Sequence, residues 1–261
     1  MPRLHLFELH DARWFPAVWR DLLTDFLSFF EATFRPYRVV AAQLWPALQR
    51  CRDAAIVDLG SGAGQSVVGV RNDIERDYGA DVAVILTDKY PNVDAFRAAT
   101  RCASGRITWV EESVDATEVP ESLRGFRTLF TSFHHFDERV ATRVLGDAVA
   151  KRQGIGVFEF TERNLLIWGL PLVALPLFVW LVTPFMRPFR WRRLLWTYLV
   201  PVVPVVAVLD GIVSVLRSYS PTELVALTAH LGSPEYVWET GRVRSFGALR
   251  ITFLLGWPRV S

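Results

Sequence analysis

Three groups of residues in this chain have the types and spacing to do chemistry. The first is the small-residue loop Asp58-Leu59-Gly60-Ser61-Gly62-Ala63-Gly64, which follows a short apolar run. Small residues let a ligand approach the backbone closely, and the helix that follows presents free N–H groups there. A dinucleotide fingerprint would carry its third glycine one residue later, where Gln65 stands, so the spacing favours a different nucleoside ligand. The second group is His134 and His135, within Thr131-Ser132-Phe133-His134-His135-Phe136-Asp137. Imidazole titrates near neutrality, so either could be a general base; the structural alternative has one beginning a helix and the other packing beneath a ligand. Glu159 faces the same edge, either as a substrate contact or as an exposed loop carboxylate. The third is Asp210, an acid inside an apolar run, which is costly without a partner or a task. It could orient or deprotonate a bound hydroxyl or amine, pair with Arg217, or cap a helix.

The elements that must position these groups follow from periodicity. Residues 54–59 and 82–87 are apolar runs, each followed by a helical stretch, at 65–78 and 93–100. Strand, helix, strand, helix predicts a parallel sheet with helices on its faces. Residues 107–110, 127–132 and 154–160 read as the next strands, with a helix over 138–151 before the last of them. Upstream, apolar residues recur at three- and four-residue steps over 14–34, which predicts an amphipathic helix, and a second helix covers 38–50 after Arg35-Pro36. Downstream, Ser220-Pro221-Thr222-Glu223 carries a serine cap, a proline in the first turn and an acid at the third position, starting a helix that runs to about Leu231 before Gly232. Two strands at 236–243 and 249–255 then close the sheet as an antiparallel pair. The expected class is α/β, a Rossmann-like doubly wound fold.

The glycine loop resembles the first motif of the class I S-adenosylmethionine-dependent methyltransferases, an acid, any residue, then Gly-x-Gly-x-Gly, at every defined position. The resemblance covers residues 56–160 and extends to the closing strands. It implies a seven-stranded sheet with its last strand antiparallel and S-adenosyl-L-methionine as cofactor. It also implies that Asp88 accepts both ribose hydroxyls, that Asp115 and Ala116 clamp the adenine, and that Lys89 and Ser132 join Asp58, Gly60, Ser61, Gly62 and Gly64 in the cofactor site. These residues fall at the carboxyl ends of successive strands, where an open α/β sheet binds ligands. Residues 131–137 depart from the Asn-Pro-Pro-Tyr signature of methyltransferases acting on nucleobase or glutamine amides, which removes those substrates. Methyl transfer is an in-line displacement, so the protein chiefly positions the acceptor and supplies a base where the acceptor carries a proton.

Residues 165–186 and 194–209 interrupt this pattern as two very apolar stretches separated by Arg187-Pro188-Phe189-Arg190-Trp191-Arg192-Arg193. The first has no charged residue and, at about 1.5 Å per residue, is long enough for a bilayer core of roughly 30 Å. Because the closing strands rejoin the same sheet, the insertion crosses a membrane twice or not at all. A double crossing as transmembrane helices puts the arginines on the far side, against the positive-inside rule, and a shallow hairpin buries them; lying along the interface sets them at anionic headgroups. A hydrophobic lid packed on the 14–34 helix, or a dimer interface, is the soluble alternative.

Composition sets the remaining bounds. With 261 residues and 51% hydrophobic content the chain suits one decorated α/β domain. The expected division is a cap at 1–50, a catalytic domain at 51–163 and 218–261, and a membrane-associating insertion at 164–217. A net charge of +2, with no basic tail or stripe, argues against nucleic acid as a partner. Cys51 and Cys102 are far apart without metal-ligand spacing, so no metal is expected and a reducing compartment fits; the charged start is not the core of a signal peptide. The expected function is methyl transfer to a small lipophilic or lipid acceptor on the cytoplasmic side of the cell membrane. The alternatives are a membrane-anchored nucleoside-binding protein without turnover and a nicotinamide-dependent oxidoreductase.

Overall fold

Strands β4 (Phe126–Phe130) and β5 (Ile155–Glu159) are built entirely of buried residues, and such double-sided burial is why their sequences lack polar alternation. The structure, a computed structural model, describes the chain apart from residues 1, 13, 52–54, 102–105, 232–234 and 260–261. Cys102 and Gly232 therefore lie outside the described residues. The chain opens with a 3-10 turn, Leu9–Asp11, then α1 (Ala17–Phe34), a 3-10 turn at Pro36–Val40, and α2 (Ala41–Arg50). The sheet region then runs β1 (Ala55–Leu59), α3 (Gln65–Tyr78), β2 (Ala83–Thr87), α4 (Val93–Arg101), β3 (Ile107–Trp109), β4 (Phe126–Phe130), α5 (Glu138–Ala150) and β5 (Ile155–Glu159). The expected first helix begins at Ala17 rather than at residue 14 because Pro16 occupies its cap position, where a missing N–H costs nothing.

The seven strands stand in the order β3-β2-β1-β4-β5-β7-β6, where β6 is Tyr236–Arg244 and β7 is Arg250–Pro258. All pairings from β3 to β5 are parallel, and β7 runs antiparallel to both β5 and β6. The sheet is thus the Rossmann-like one expected, with its last strand antiparallel. Strand order reverses between β1 and β4, which opens a crevice at their carboxyl ends.

Local sequence sets the element ends. Gly64 starts α3 with φ 76°, and a Cβ there would lie 2.9 Å from Leu86 Cδ1, so both the turn and the packing require glycine. Asp137 caps α5 by accepting the Val140 N–H. The final helix, α9 (Pro221–Ala229), carries the expected capping box between Ser220 and Glu223.

Between β5 and α9 the apolar insertion forms α6 (Leu165–Val182), a short α7 (Trp191–Leu194) that continues into a π-helical turn at Leu195–Leu199, and α8 (Val202–Arg217). Helices α6 and α8 pack on each other as a hairpin, and α7 with its turn meets α8 at 74°, where Pro201 breaks the chain direction. One apolar cluster lies on each face of the sheet. A third joins Phe15, Leu22, Leu23 and Phe26 of the amino-terminal region to Val179, Met186, Val203 and Val206 of the insertion. The cap and the insertion, whose core residues Phe26 and Val179 stand 153 positions apart in sequence, therefore share one core.

Candidate functional site

The crevice between β1 and β4 is lined by the glycine loop. Gly60, Gly62 and Gly64 have φ of 68°, 56° and 76°, so left-handed glycines alternate with Ser61 and Ala63, and the N–H groups of Ser61, Gly62 and Gly64 bond Thr87 O, Asp88 Oδ2 and Ser61 O. A Cβ on Gly62 would meet nothing within 4 Å, so the loop faces open space there. Asp58 stays behind the loop, where its Oδ1 accepts from Thr128 Oγ1 at 2.5 Å. Burial pushes its carboxyl up to about 7, against the hydrogen bonds of Thr128 and Ser61. Its carbonyl accepts from Ser61 Oγ and Thr87 Oγ1, tying the loop to β2.

Asp88, just past β2, reaches across to this loop. Its Oδ2 accepts the Gly62 N–H at 2.9 Å and its Oδ1 the Tyr90 N–H at 2.8 Å. Asp115 follows β3, where the backbone and hydroxyl of Thr117 and then Lys89 Nζ, at 3.0 Å, hold its carboxyl down to about 2. Ala116 beside it is half-buried against the α5 side of the sheet. Ser132 lies against Gly60, and its buried Oγ has no hydrogen-bond partner among the described residues. The structure thus gathers Asp88, Lys89, Asp115 and Ser132 around the glycine loop. From the cap, Glu31 of α1 bonds Ser66 at the start of α3, and burial raises its carboxyl to about 7. Tyr37 pairs with Thr131 at the end of β4. Thr131 has φ 41°, an uncommon conformation for a β-branched residue, and it turns the chain so that Ser132 faces the loop.

Behind Ser132, the two histidines sit in the 3-10 turn Phe133–His135. His134 is 1% exposed, and its Nδ1 lies 2.7 Å from Glu159 Oε2. Glu159 is fully buried at the end of β5, and its Oε1 also accepts the N–H groups of Phe133 and His134. That clamp orients the imidazole with Nδ1 toward Glu159 and Nε2 toward Glu8, and Nε2 has no hydrogen-bond partner among the described residues. The exposed-loop reading of Glu159 is thereby corrected: it ends strand β5, fully buried, with its carboxylate bound to Phe133 and His134.

An amino-terminal strap, residues 3–11, covers this histidine pair. Glu8, 2% exposed, places Oε1 at 3.6 Å from His134 Nε2 and Oε2 at 3.3 Å from His135 Nδ1. Asp11 Oδ1 lies 2.8 Å from His135 Nδ1. Burial opposes charge on His135, but the Asp11 hydrogen bond and the Glu8 and Asp11 carboxylates outweigh it and raise its pKa. Arg217, at the end of α8, donates to Asp11 at 2.9 Å and to the carbonyls of His134 and His135, while Arg3 donates to the carbonyls of His134, Phe136 and Arg217.

Asp210 lies on α8 beneath the strap. Its two oxygens accept the N–H groups of Leu9 and His10, at 2.8 and 3.0 Å, so it caps the short turn at Leu9–Asp11. Arg217 pairs with Asp11 and not with Asp210.

No protein-family model and no curated sequence matches the chain. Among solved structures, an O-methyltransferase family protein from Burkholderia thailandensis superposes with a TM-score of 0.54 at 17% identity, covering 93% of this chain and 60% of its own. An O-methyltransferase from neocarzinostatin biosynthesis, solved with S-adenosylmethionine and 2-hydroxy-5-methyl naphthoic acid, superposes at 0.52 and 16% identity, covering 93% and 62%. The fold is that of a class I methyltransferase. This chain spans about three fifths of the length of the methyltransferases it matches.

In that methyltransferase fold, several residues of the site escape sequence reasoning. Glu8, Asp11 and Arg3 lie in a strap without periodicity. Glu31 and Tyr37 read as ordinary cap residues. Only Arg217 carried a signal, as a charge closing an apolar helix.

Proposed function

We propose that this protein is an S-adenosylmethionine-dependent methyltransferase that acts on a small lipophilic or lipid acceptor at the cytoplasmic face of a membrane. The observation that carries the reading is the crevice over β1 and β4. There an open glycine cradle, the Asp88 carboxylate and the unpartnered Ser132 hydroxyl converge on one space. These residues fit the cofactor: the small residues of the loop let it approach the backbone, Asp88 suits its ribose hydroxyls, and Asp115 with Ala116 its adenine. When bound, S-adenosylmethionine supplies an electrophilic methyl on a sulfonium.

The chain's own task is to position the acceptor and manage its proton. His134, oriented by Glu159, carries the free Nε2 lone pair that takes that proton. The strap lies over this lone pair through Glu8, so an acceptor reaches it only when residues 3–11 lift. An oxygen acceptor is the first to test, since both structural neighbours named above are described as O-methyltransferases; nitrogen and carbon follow.

The membrane reading rests on α6. Leu166, Leu170, Val173, Leu177 and Leu181 recur at four- and three-residue steps and are 60–96% exposed, while Trp168, Leu172 and Val179 pack inward. Leu166–Phe185 is long and apolar enough to cross a membrane, and 22% of its most apolar stretch is buried in the protein. Each exposed leucine would gain about 1.5–3 kcal/mol from an apolar environment. At the hairpin tip, Arg193 is buried and, with Arg190, bonds Asp25 of α1, which ties the tip to a charged helix. That supports an insertion lying along the interface, with Trp191, Arg187 and Arg192 exposed toward headgroups, over one that crosses. On this reading residues 1–50 form the cap, 164–217 the membrane-associating insertion, and 51–163 with 218–261 the catalytic domain.

The experiment is incubation of a lipid and metabolite extract with the protein and deuterated-methyl cofactor, followed by mass spectrometry. A product heavier by one labelled methyl is expected. Calorimetry with the intact protein that detects no S-adenosylmethionine binding would overturn the reading.

A further inference from the structure

We propose that Glu8, His134 and His135 form a binding site for a divalent transition-metal cation of the zinc class, which clasps the amino-terminal strap to the carboxyl edge of the sheet. One carboxylate oxygen and two imidazole nitrogens lie within 4.8 Å of one another. Tetrahedral zinc with bonds of about 2.0–2.1 Å separates its ligand atoms by about 3.3–3.4 Å. Glu8 Oε2 stands at 3.3 Å from His135 Nδ1 and Glu8 Oε1 at 3.6 Å from His134 Nε2, so its two oxygens face one nitrogen each and the carboxylate spans the gap that a cation would fill.

The environment of the nitrogen gives an independent argument. His134 Nε2 is buried and without a hydrogen-bond partner among the described residues, and it points into the cluster. Its Nδ1 bonds Glu159, the carboxylate–histidine arrangement that orients metal-bound imidazoles and raises their basicity. Two imidazoles and a carboxylate suit zinc or cobalt and not magnesium or calcium. Asp11 hydrogen-bonds His135 Nδ1 at 2.8 Å; a cation on Nδ1 displaces that bond and leaves the Asp11 carboxylate beside the remaining coordination position.

Charge points the same way. Glu8 and Glu159, both buried, and Asp11, exposed at the edge, surround one buried guanidinium, that of Arg217, while Arg3 and Asp210 offset each other at the rim. Imidazoles that ligate a metal are neutral, and in that state the three carboxylates exceed the one guanidinium by two charges, which a divalent cation balances. Ser214 Oγ, the Asp210 cap on Leu9 and His10, and the Leu4 to Leu216 backbone bond already hold the strap on α8, so Glu8 is delivered to the histidines in advance.

A bound cation takes the Nε2 lone pair that the proposed methyl transfer uses, so loaded protein should be inactive and chelation should restore transfer. That consequence alone rests on the function proposed above; the site does not.

The test is titration of chelator-treated, intact protein with Co2+, read by its visible ligand-field absorption, and with Zn2+ by calorimetry. One equivalent of tetrahedral Co2+, displaced by Zn2+, is expected. X-ray absorption of the zinc form should show two imidazoles with oxygen ligands. Glu8→Gln and His135→Asn should each weaken binding by roughly a hundredfold, and Glu159→Gln by about ten- to hundredfold. His230→Ala, at an exposed histidine of the α9 end, should leave binding unchanged. Circular dichroism confirms that each variant is folded. No stoichiometric binding by the folded wild type, or binding that Glu8→Gln leaves intact, overturns the site. Binding with unimpaired methyl transfer in the zinc form upholds the site and overturns the base role of His134.

Discussion

The crevice above β1 and the pocket behind β4 adjoin on one sheet edge, yet they are assembled in opposite ways. The crevice is made of loops that each immediately follow their own strand: 60–64 after β1, Asp88 after β2, Asp115 after β3 and Ser132 after β4. Its residues need only the sheet to bring them together. The pocket brings Glu8 and Asp11 onto His134 and His135, with Glu159 beneath and Arg217 above, across gaps of up to 209 positions, from Glu8 to Arg217. The first is a property of the fold, which this chain shares with structures at 16–17% identity. The second depends on this chain's own strap and insertion.

If the two regions are separable, substitutions should divide cleanly between binding and turnover. The largest effect is expected at the pocket: Glu159→Gln should lower kcat by about 10²–10⁴, the usual worth of a general base, while the cofactor Kd stays within about twofold. An equal loss of cofactor affinity in calorimetry would break the comparison. At the crevice, Asp88→Ala removes a charged acceptor of two hydrogen bonds, each worth about 1.5–3 kcal/mol. The Kd for S-adenosylmethionine should rise about a hundredfold or more. Gly64→Ala combines φ 76° with the Leu86 contact at 2.9 Å and should cost about 1–3 kcal/mol in denaturant unfolding, without the pocket being touched.

Smaller effects test the insertion and the buried acid. Leu170→Glu with Leu177→Glu, on the exposed stripe of α6, should reduce partition onto anionic vesicles by about tenfold or more in a sedimentation assay. Because both side chains are exposed, at 77% and 60%, the unfolding free energy should move by less than about 1 kcal/mol. Retained vesicle binding would sink the membrane reading while leaving the crevice intact. The smallest expected effect is a pH dependence. Asp58 has its carboxyl pushed to about 7, in a setting that also holds the acids Asp88 and Glu31 and the Tyr37 phenol. A cationic sulfonium ligand favours the carboxylate, so affinity should rise a few-fold between about pH 6 and 8. In the free protein the sign for stability is opposite. A folded pKa raised above the unfolded one means stability falls as pH rises from about 4 toward 7 and is level above that. Asp58→Asn should flatten the affinity curve and reduce the slope of the stability curve, leaving the part that Glu31, also raised to about 7, contributes with the same sign.

Much of the fold was legible in the residues. The α3 helix occupies 65–78 as the periodicity predicts, and Ser220, Pro221 and Glu223 form the capping box that their spacing implies. Those features depend on interactions within a few residues, where side-chain type and backbone preference act directly. The strand order was legible only as a class, because pairing partners are chosen by packing. The strap was not legible at all: residues 3–11 have no period, and their partners lie on α8 and β4. Asp210 illustrates the same limit. Its cost in an apolar run was visible, but its solution, the N–H groups of Leu9 and His10, lies 200 positions away.

By itself, then, the sequence determined the glycine loop, the acids that end β2 and β3, and the doubly wound class, because each is encoded by local spacing and by the alternation of strand and helix. Tertiary structure alone decided that the cap and the insertion share a core, that Glu159 is buried behind His134, and that Glu8 meets the histidine pair. The physical reason is that those contacts arise from apolar burial, which is non-directional and fixes partners only once the surfaces that exclude water have closed on each other.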